Sequence, residues 1–575
     1  MEAKEMSSGE MESVCSVSSI LNRLSNWGLG EIIVQRIAAR VDIEEQRQVY
    51  FSGGGGDESG KVEGIVSETS NEKFVGVMEL DKEKPVRLDY GPNMGSSLQK
   101  RKHESELSGG SLSDSDINGR VSKLVNEARQ VLKLERVVLA SGWMQSRIRF
   151  LQADNCSFFC QNGQEVLKTH DLDFCSRPDQ LGLRKISYNA LDLAFSPYND
   201  YWREMNKLCV VHLFSRAQQF RSIRQDEVAR LMDKICQLSS DSKPVNLSEE
   251  FTRLSSTIIC RVGFGKRYDE EGAERSRFHG LLNQTQALLS SFCFSDYFPL
   301  MGWVDRLTGF HNGLEKIFKE LDIFYQELID EHLDPNRPKP EENDIIDVLL
   351  QISKDGGFPF DLTIDHIKAI LMNVFLGGTE TSAATVTWVM SLLMKNPKFL
   401  KKTQDKVRNL MGEKGFLNED DIQSLTYLKA VIKETFRLQP VNPLLLSRET
   451  LRKCSIGGYE VPAKSMVHVN AWAIGRDPEV WENPEEFCPE RFIGSSIDFK
   501  GQHFELIPFG AGRRMCPGMR MGVATVELAL ANLLYKFDWE MPTGMNEDDL
   551  DLDALPGITT HKKIDLILVA RKINE

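Results

Sequence analysis

The position in this sequence with the most chemical potential is one cysteine in a glycine-rich loop. The segment Phe509-Gly-Ala-Gly-Arg-Arg-Met-Cys516-Pro-Gly518 sets Cys516 directly before a helical stretch. Glycines at Gly510, Gly512 and Gly518 let the backbone fold closely around a sulfur atom. Backbone N–H groups and the start of the following helix stabilise a thiolate. A thiolate held this way can be an axial ligand of haem iron, where it pushes electron density onto the metal and favours O–O cleavage. Arg514 is positioned to pair with a haem carboxylate. A lone cysteine is ordinarily a small buried hydrophobe. The pattern F-x-x-G-x-R-x-C-x-G, headed by Phe509, selects the metal-ligand reading instead.

Upstream lies Leu376-Gly-Gly-Thr-Glu-Thr-Ser382, inside a long helical stretch. Two adjacent glycines in a helix interior cost about 1 kcal/mol each relative to alanine. The groove they leave gives a ligand room against the backbone, and Glu380 and Thr381 could deliver protons and water to bound dioxygen. The competing reading is close helix packing, with a threonine hydroxyl bonded back to the preceding turn. Glu434-Thr-Phe-Arg437 puts opposite charges on one helical face. An exposed pair of that kind is worth almost nothing. The segment Phe487-Cys-Pro-Glu-Arg491-Phe492 supplies a third member, so Glu434, Arg437 and Arg491 are expected to form a buried network with a structural role.

The elements that must position these groups are mostly helical. Apolar residues recur at helical spacing over 215–238, and over 311–333, where Leu314, Ile317, Phe318, Leu321, Phe324, Leu328 and Ile329 form one stripe. Three prolines in 334–344 break that helix. Another spans 343–353, with Asn343 or Asp344 as its cap. The long helix runs from about Thr363 to Lys395; Pro397 opens the next, and 421–438 and 518–535 are helical too. Residues 454–470 alternate around Gly457, Gly458 and Pro462 and read as short strands with turns; 562–570 reads as a terminal strand. The fold class expected is mostly α with a minor antiparallel β part.

The chain has 575 residues, a net charge of −14 and eleven scattered cysteines. The acidic balance argues against a nucleic-acid partner. The cysteine pattern argues for a reducing compartment. No CxxC pair occurs, so a zinc site is not expected. Residues 1–163 differ in texture and read as a partly disordered extension of unknown fold, against a dense domain over 164–575. Stretches 52–61 and 108–116 read as flexible linkers, 18–41 and 119–139 have helix-like spacing, and the basic run 99–104 reads as a solvated cluster. Neither a signal peptide nor a membrane-spanning run is recognisable.

The four motifs in this order resemble cytochrome P450, and the resemblance runs from about Gln164 to the C-terminus. EVLKTHDLDFCSRP (165–178), GTETS, ETFRLQP, PEEFCPERF to PFGAGRRMCPG, and FDWEMP with LPGITTHKK resemble the plant A-type group. The resemblance implies a monooxygenase that inserts one oxygen atom of O2 into a small lipophilic, secondary-metabolite-like substrate. Its electrons would come from NADPH through NADPH–cytochrome P450 reductase. Cys516 becomes the proximal ligand of haem iron, and Thr381 and Glu380 the oxygen-activation pair. Trp202, Arg448 and Arg514 fall where the family contacts the haem propionates, and Glu434, Arg437 and Arg491 hold the proximal scaffold. Substrate is expected against the loop near 181–192, Val374 to Gly378, Val441 to Leu446 and Ile558 to Thr560. Arg203, Lys207, Arg513 and Arg520 are candidates for attracting an acidic reductase face. The family implies a monomer on the cytosolic face of the endoplasmic reticulum membrane.

Departures accompany the resemblance. Asn206 stands where the family carries a second basic residue after the tryptophan, with Lys207 as a candidate substitute; Gln439 and Ser447 replace a usual His and Pro. Residues 1–163 bear no likeness to the family's anchor, hinge and first sheet strands, so a P450 fold lacking those parts is expected, with membrane association weakened and a cytosolic location open. A second reading therefore stands beside the enzyme: a non-catalytic remnant, or a fused or incorrectly assembled gene, acting as an interaction protein.

Overall fold

A computed structural model describes residues 163–573, apart from 216–218, 242, 268–272, 290, 299–301, 339–341 and 556. The linkers, helix-like stretches and basic run expected before residue 163 lie outside the described residues.

Eleven helices of six or more residues matter for the site. They are α1 (Leu181–Ile186), α2 (Asp200–Leu208), α3 (Arg221–Ser240), α4 (Leu247–Phe264), α5 (Ala273–Leu289), α6 (Phe310–Leu333), α7 (Ile345–Asp355), α8 (Ile364–Lys395), α9 (Pro397–Met411), α10 (Thr426–Leu438) and α11 (Met519–Lys536). Helix α6 buries Leu314, Ile317, Leu321, Phe324, Leu328 and Ile329 from the expected stripe, while Phe318 is half-buried. Helix α7 is capped by Asp344 rather than Asn343. The Asp344 carboxylate accepts from Asp347 N (3.0 Å), and Asp347 returns the bond at 3.3 Å. Pro397 sits in the first turn of α9, where its missing N–H has no intrahelical partner to lose. Helix α3 begins at Arg221, later than its spacing suggests.

Helix α8 is about 48 Å long at 1.5 Å per residue. It runs through the middle of the molecule, in contact with α4, α6, α7, α9, α10 and α11. Its second half, from Ser382 to Met394, is buried on every face. Helix α4 crosses it where Gly378 meets Ile259; a Cβ on Gly378 would overlap the Ile259 side chain. Nothing stands within 4 Å of a Cβ on Gly377. The two glycines thus have different uses, one for helix packing and one for open space.

Strands are short and antiparallel. β1 (Pro244–Asn246), β9 (Ile567–Lys572) and β6 (Phe537–Glu540) form a sheet in that order. β2 (Arg448–Glu449) pairs with β5 (Met466–Val467), β3 (Cys454–Ile456) with β4 (Tyr459–Val461), and β7 (Ala554–Leu555) with β8 (His561–Lys562). The expected terminal strand is therefore two, β8 and β9. Among the described residues no strand precedes Pro244. The β2 edge is met instead by the 173–176 segment, where Glu449 N donates to Ser176 O at 3.0 Å and Leu451 N to Asp173 O at 2.8 Å. No described helix is long and apolar enough to cross a membrane.

Candidate active site

The loop before α11 turns back on itself, with Cys516 N–H donating to Phe509 O at 2.9 Å. Gly510 and Gly512 take φ of 68° and 70°, the left-handed region that favours glycine. A Cβ on Gly512 would also overlap Leu167 O and the Asp171 carboxylate, so this glycine admits a neighbouring segment rather than the sulfur. Gly518, at φ −82°, needs no such freedom. Its N–H and that of Met519 face the thiol and favour the thiolate, against burial, which raises the thiol pKa. Cys516 is nonetheless exposed, because its open side is a cavity of ≈ 350 Å³ inside the protein. The Phe509 ring packs against Phe436 and Phe499, with centroids 5.2 and 5.5 Å away, and anchors the loop to α10.

One wall of the cavity carries four guanidinium groups, those of Arg177, Arg448, Arg513 and Arg514. Arg514 donates to three backbone carbonyls, Cys175 (2.8 Å), Leu193 (3.2 Å) and Ser196 (2.6 Å), and lies 4.1 Å over the Trp202 ring. Trp202 commits its indole N–H to Leu193 O at 2.9 Å, so it offers the cavity its ring. Arg448 donates to Asp171 (3.3 Å) and Ala511 O (3.2 Å), and Arg513 to Asp171 (2.8 Å). Arg177 donates to the carbonyls of Ala194, Leu446 and Ser447 at 2.7–2.9 Å. Burial pushes Arg177 well below its ordinary value, and the charges of Arg514 and Arg448 push the same way. Burial likewise lowers Arg448, and lowers Arg514 to about 10. Arg177, Arg448 and Arg514 form a buried excess of positive charge, and Asp171 pairs with Arg448 and with the exposed Arg513.

Arg177 and Asp171 were not singled out as site residues by sequence reasoning. Their signal was the 165–178 segment, legible as a resemblance without individual roles. Asn206 does line the cavity. Lys207 does not: it is exposed, with its ammonium 3.9 Å from Glu204. Arg177 is a further cation in the lining of the same cavity.

Thr381 and Glu380 diverge. Thr381 lines the cavity and donates its hydroxyl to Gly377 O at 2.7 Å, so the back-bond and the cavity position coexist. Glu380 does not line it; its carboxylate meets His561 Nε2 on β8 at 3.0 Å. Of the expected substrate contacts, Val374, Leu376, Gly377, Gly378, Val441, Asn442, Leu445, Leu446, Ile558 and Thr559 face the cavity. The 181–192 loop does not; its continuation Leu193, Ala194 and Phe195 does, along with Gln286 and Leu289 of α5. Asn373 of α8 fixes that continuation. Its Oδ1 accepts from Leu193 N (2.9 Å) and Ala194 N (3.0 Å), and its Nδ2 donates to the buried Asp192 at 2.8 Å.

Away from the cavity, Glu434, Arg437 and Arg491 meet. Arg437 makes a two-pronged pair with Glu434 (2.8 Å twice), both fully buried, and Arg491 Nε reaches the same carboxylate at 3.0 Å. Arg437 also donates to the carbonyls of Gly475, Pro484 and Glu486, which ties the irregular 475–486 segment to α10.

The chain matches the cytochrome P450 family over residues 161–568. It is 51% identical over 418 residues to the 5-OH-xanthotoxin synthase of Pastinaca sativa, covering 71% of this chain and 82% of that one. It is 49% identical over 418 residues to the 6,7,8-trihydroxycoumarin synthase of the same plant, with the same coverage. A zebrafish cytochrome P450 solved with progesterone shares the fold at a TM-score of 0.62 and 24% identity, covering 72% of this chain and 92% of that one. A thiol at the floor of an internal cavity, a guanidinium wall and a match across most of the sequence agree: the chain belongs to the cytochrome P450 family and is a haem-dependent monooxygenase.

Proposed function

We propose that this chain oxygenates a small, neutral, flat aromatic plant metabolite in the cavity floored by Cys516, with electrons passed from NADPH by NADPH–cytochrome P450 reductase. The observation that carries the reading is the cavity itself. A thiol faces it from two backbone N–H donors, four guanidiniums line one wall, and apolar side chains from Val374, Leu376, Leu445 and Ile558 line the rest. That donor set fits haem, a flat apolar group with a metal at its centre and carboxylates on one edge. Cys516 would hold the iron, and Arg177, Arg448, Arg513 and Arg514 the carboxylates, whose charge answers the depressed pKa values of Arg177, Arg448 and Arg514. When bound, haem supplies the dioxygen chemistry.

The chain's own residues do the rest. The apolar walls exclude water and orient the substrate. Thr381 presents a hydroxyl at the cavity wall, and Glu380 stands behind it as a proton source. Glu434, Arg437 and Arg491 keep the 475–486 segment in place. Among the described residues no carboxylate lines the cavity, which supports a neutral substrate. The names of two relatives, for a hydroxylated xanthotoxin and a trihydroxycoumarin, support a flat oxygenated aromatic compound. The family supports a location at the cytosolic face of the endoplasmic reticulum and a monomeric state.

The test is the carbon monoxide difference spectrum of the reduced full-length protein. The Soret band should stand at the thiolate-ligated position and be lost in Cys516→Ser, together with turnover. Wild-type protein that takes up no haem would favour the second reading, a non-catalytic remnant, over this one.

A further inference from the structure

We propose that His561 is the proton entry to Glu380, linking bulk water to the acid beside Thr381. The proposal builds on the monooxygenase reading above. Glu380 lies on α8 one residue before the cavity-facing Thr381, yet its side chain turns the other way and is only 11% exposed. Its one hydrogen-bond partner among the described residues is His561 Nε2 at 3.0 Å. The His561 side chain is 37% exposed, and no hydrogen bond to its Nδ1 occurs among the described residues. One imidazole therefore has one nitrogen on a shielded carboxylate and the other free for water.

The backbone around His561 is held on both sides, so this contact is built rather than incidental. Thr560 O accepts from Trp388 Nε1 at 3.2 Å, and Thr560 N donates to Val441 O at 2.8 Å. Trp388 belongs to the same helix as Glu380, two turns on, so α8 itself fixes the strand that carries the histidine. On the other side, Lys562 pairs with Ala554 in the β7–β8 ladder, and Lys562 Nζ donates to Ile564 O at 2.6 Å.

The transfer balances without a further reactant. Monooxygenation sends one oxygen atom of O2 into product and the other into water, which takes up protons. A proton from water binds His561 Nδ1. The Nε2–H bond breaks, its electron pair stays on nitrogen, and an O–H bond forms on Glu380 Oε2. The carboxyl then carries the proton on α8, one residue before the cavity-facing Thr381, and the imidazole returns to neutral in its other tautomer.

The experiment compares wild type with His561→Gln, His561→Ala and Glu380→Gln in the full-length protein. Glutamine can still donate to the carboxylate, but it cannot take a proton on one side and release it on the other. Carbon monoxide difference spectra first establish that each variant holds haem through a thiolate. If wild type does not, the monooxygenase reading fails before this one is reached. In loaded variants, product formed per NADPH consumed should fall about tenfold in both His561 variants, less than the roughly 10²–10⁴-fold of a group that transfers the proton directly in the transition state. The solvent deuterium isotope effect on product formation should rise, with KM little changed. Histidine ring-nitrogen NMR should show one resonance, assigned by its loss in His561→Gln, that shifts in Glu380→Gln. Wild-type coupling in His561→Gln would overturn the relay and leave His561 as a positioning residue. Wild-type coupling in His561→Ala, or an unshifted resonance in Glu380→Gln, would overturn the link altogether.

Discussion

Asp192 is held where a carboxylate is least comfortable. It is fully buried, and Oδ2 accepts from Ala194 N, Phe195 N and Asn373 Nδ2, while Oδ1 has no partner among the described residues. Burial raises its pKa to about 6, against those hydrogen bonds. Its folded pKa lies above the ordinary carboxylate value, so the folded state binds the extra proton between pH 4 and 6. Stability from this group is therefore full below about pH 4, falls as pH rises to about 6, and is flat beyond, by up to about 3 kcal/mol. Melting temperature against pH should show that decline in wild type and lose it in Asp192→Asn, which keeps the accepting oxygen. Among single residues, sequence reading was most specific at Cys516, because the ten-residue pattern around it, rather than the cysteine alone, selects a ligand role. It was weakest at Arg177 and Asp171. Arg177 meets the Leu446 and Ser447 carbonyls, and Asp171 meets Arg448 and Arg513, across some 270–340 residues of chain, a proximity that local pattern does not encode.

At the level of elements, Gly377 and Gly378 look alike in sequence and differ in space. Gly378→Ala should cost about 1–3 kcal/mol of unfolding free energy, because Ile259 must move. Gly377→Ala should hold stability or raise it by up to about 1 kcal/mol, and instead narrow the cavity. Denaturant unfolding of the two variants separates them. Helices with one apolar stripe, such as α6, were legible from spacing. Helices α4 and α5 were not read. In α4 the buried set includes Ser255, Ser256 and Gly263 beside Ile258, Ile259 and Val262, so small and β-branched residues blur the period. What settles α4 as a helix is its partner α8, a tertiary cause. The split of 562–570 into β8 and β9 has the same origin, since β9 pairs with β1 and β6 while β8 pairs with β7.

Over the whole molecule, a net charge of −14 must be reconciled with the acidic reductase face proposed as electron donor. Of the four basic residues singled out for docking, Arg203 pairs with Asp200, Lys207 with Glu204 and Arg513 with Asp171. Arg520, exposed in the first turn of α11, has no acidic partner among the described residues. Arg520→Glu should slow haem reduction by the reductase several-fold at low ionic strength, with the difference shrinking as salt is raised, in stopped-flow measurements. The bonds of Arg514 act at this scale too. Its guanidinium buckles the cysteine loop to Cys175, Leu193 and Ser196, and charge-assisted bonds of this kind are worth about 1.5–3 kcal/mol each. The sulfur-bearing loop and the stretch from Cys175 to Ser196 are thereby one mechanical unit, so a strain applied at either end is felt at the other.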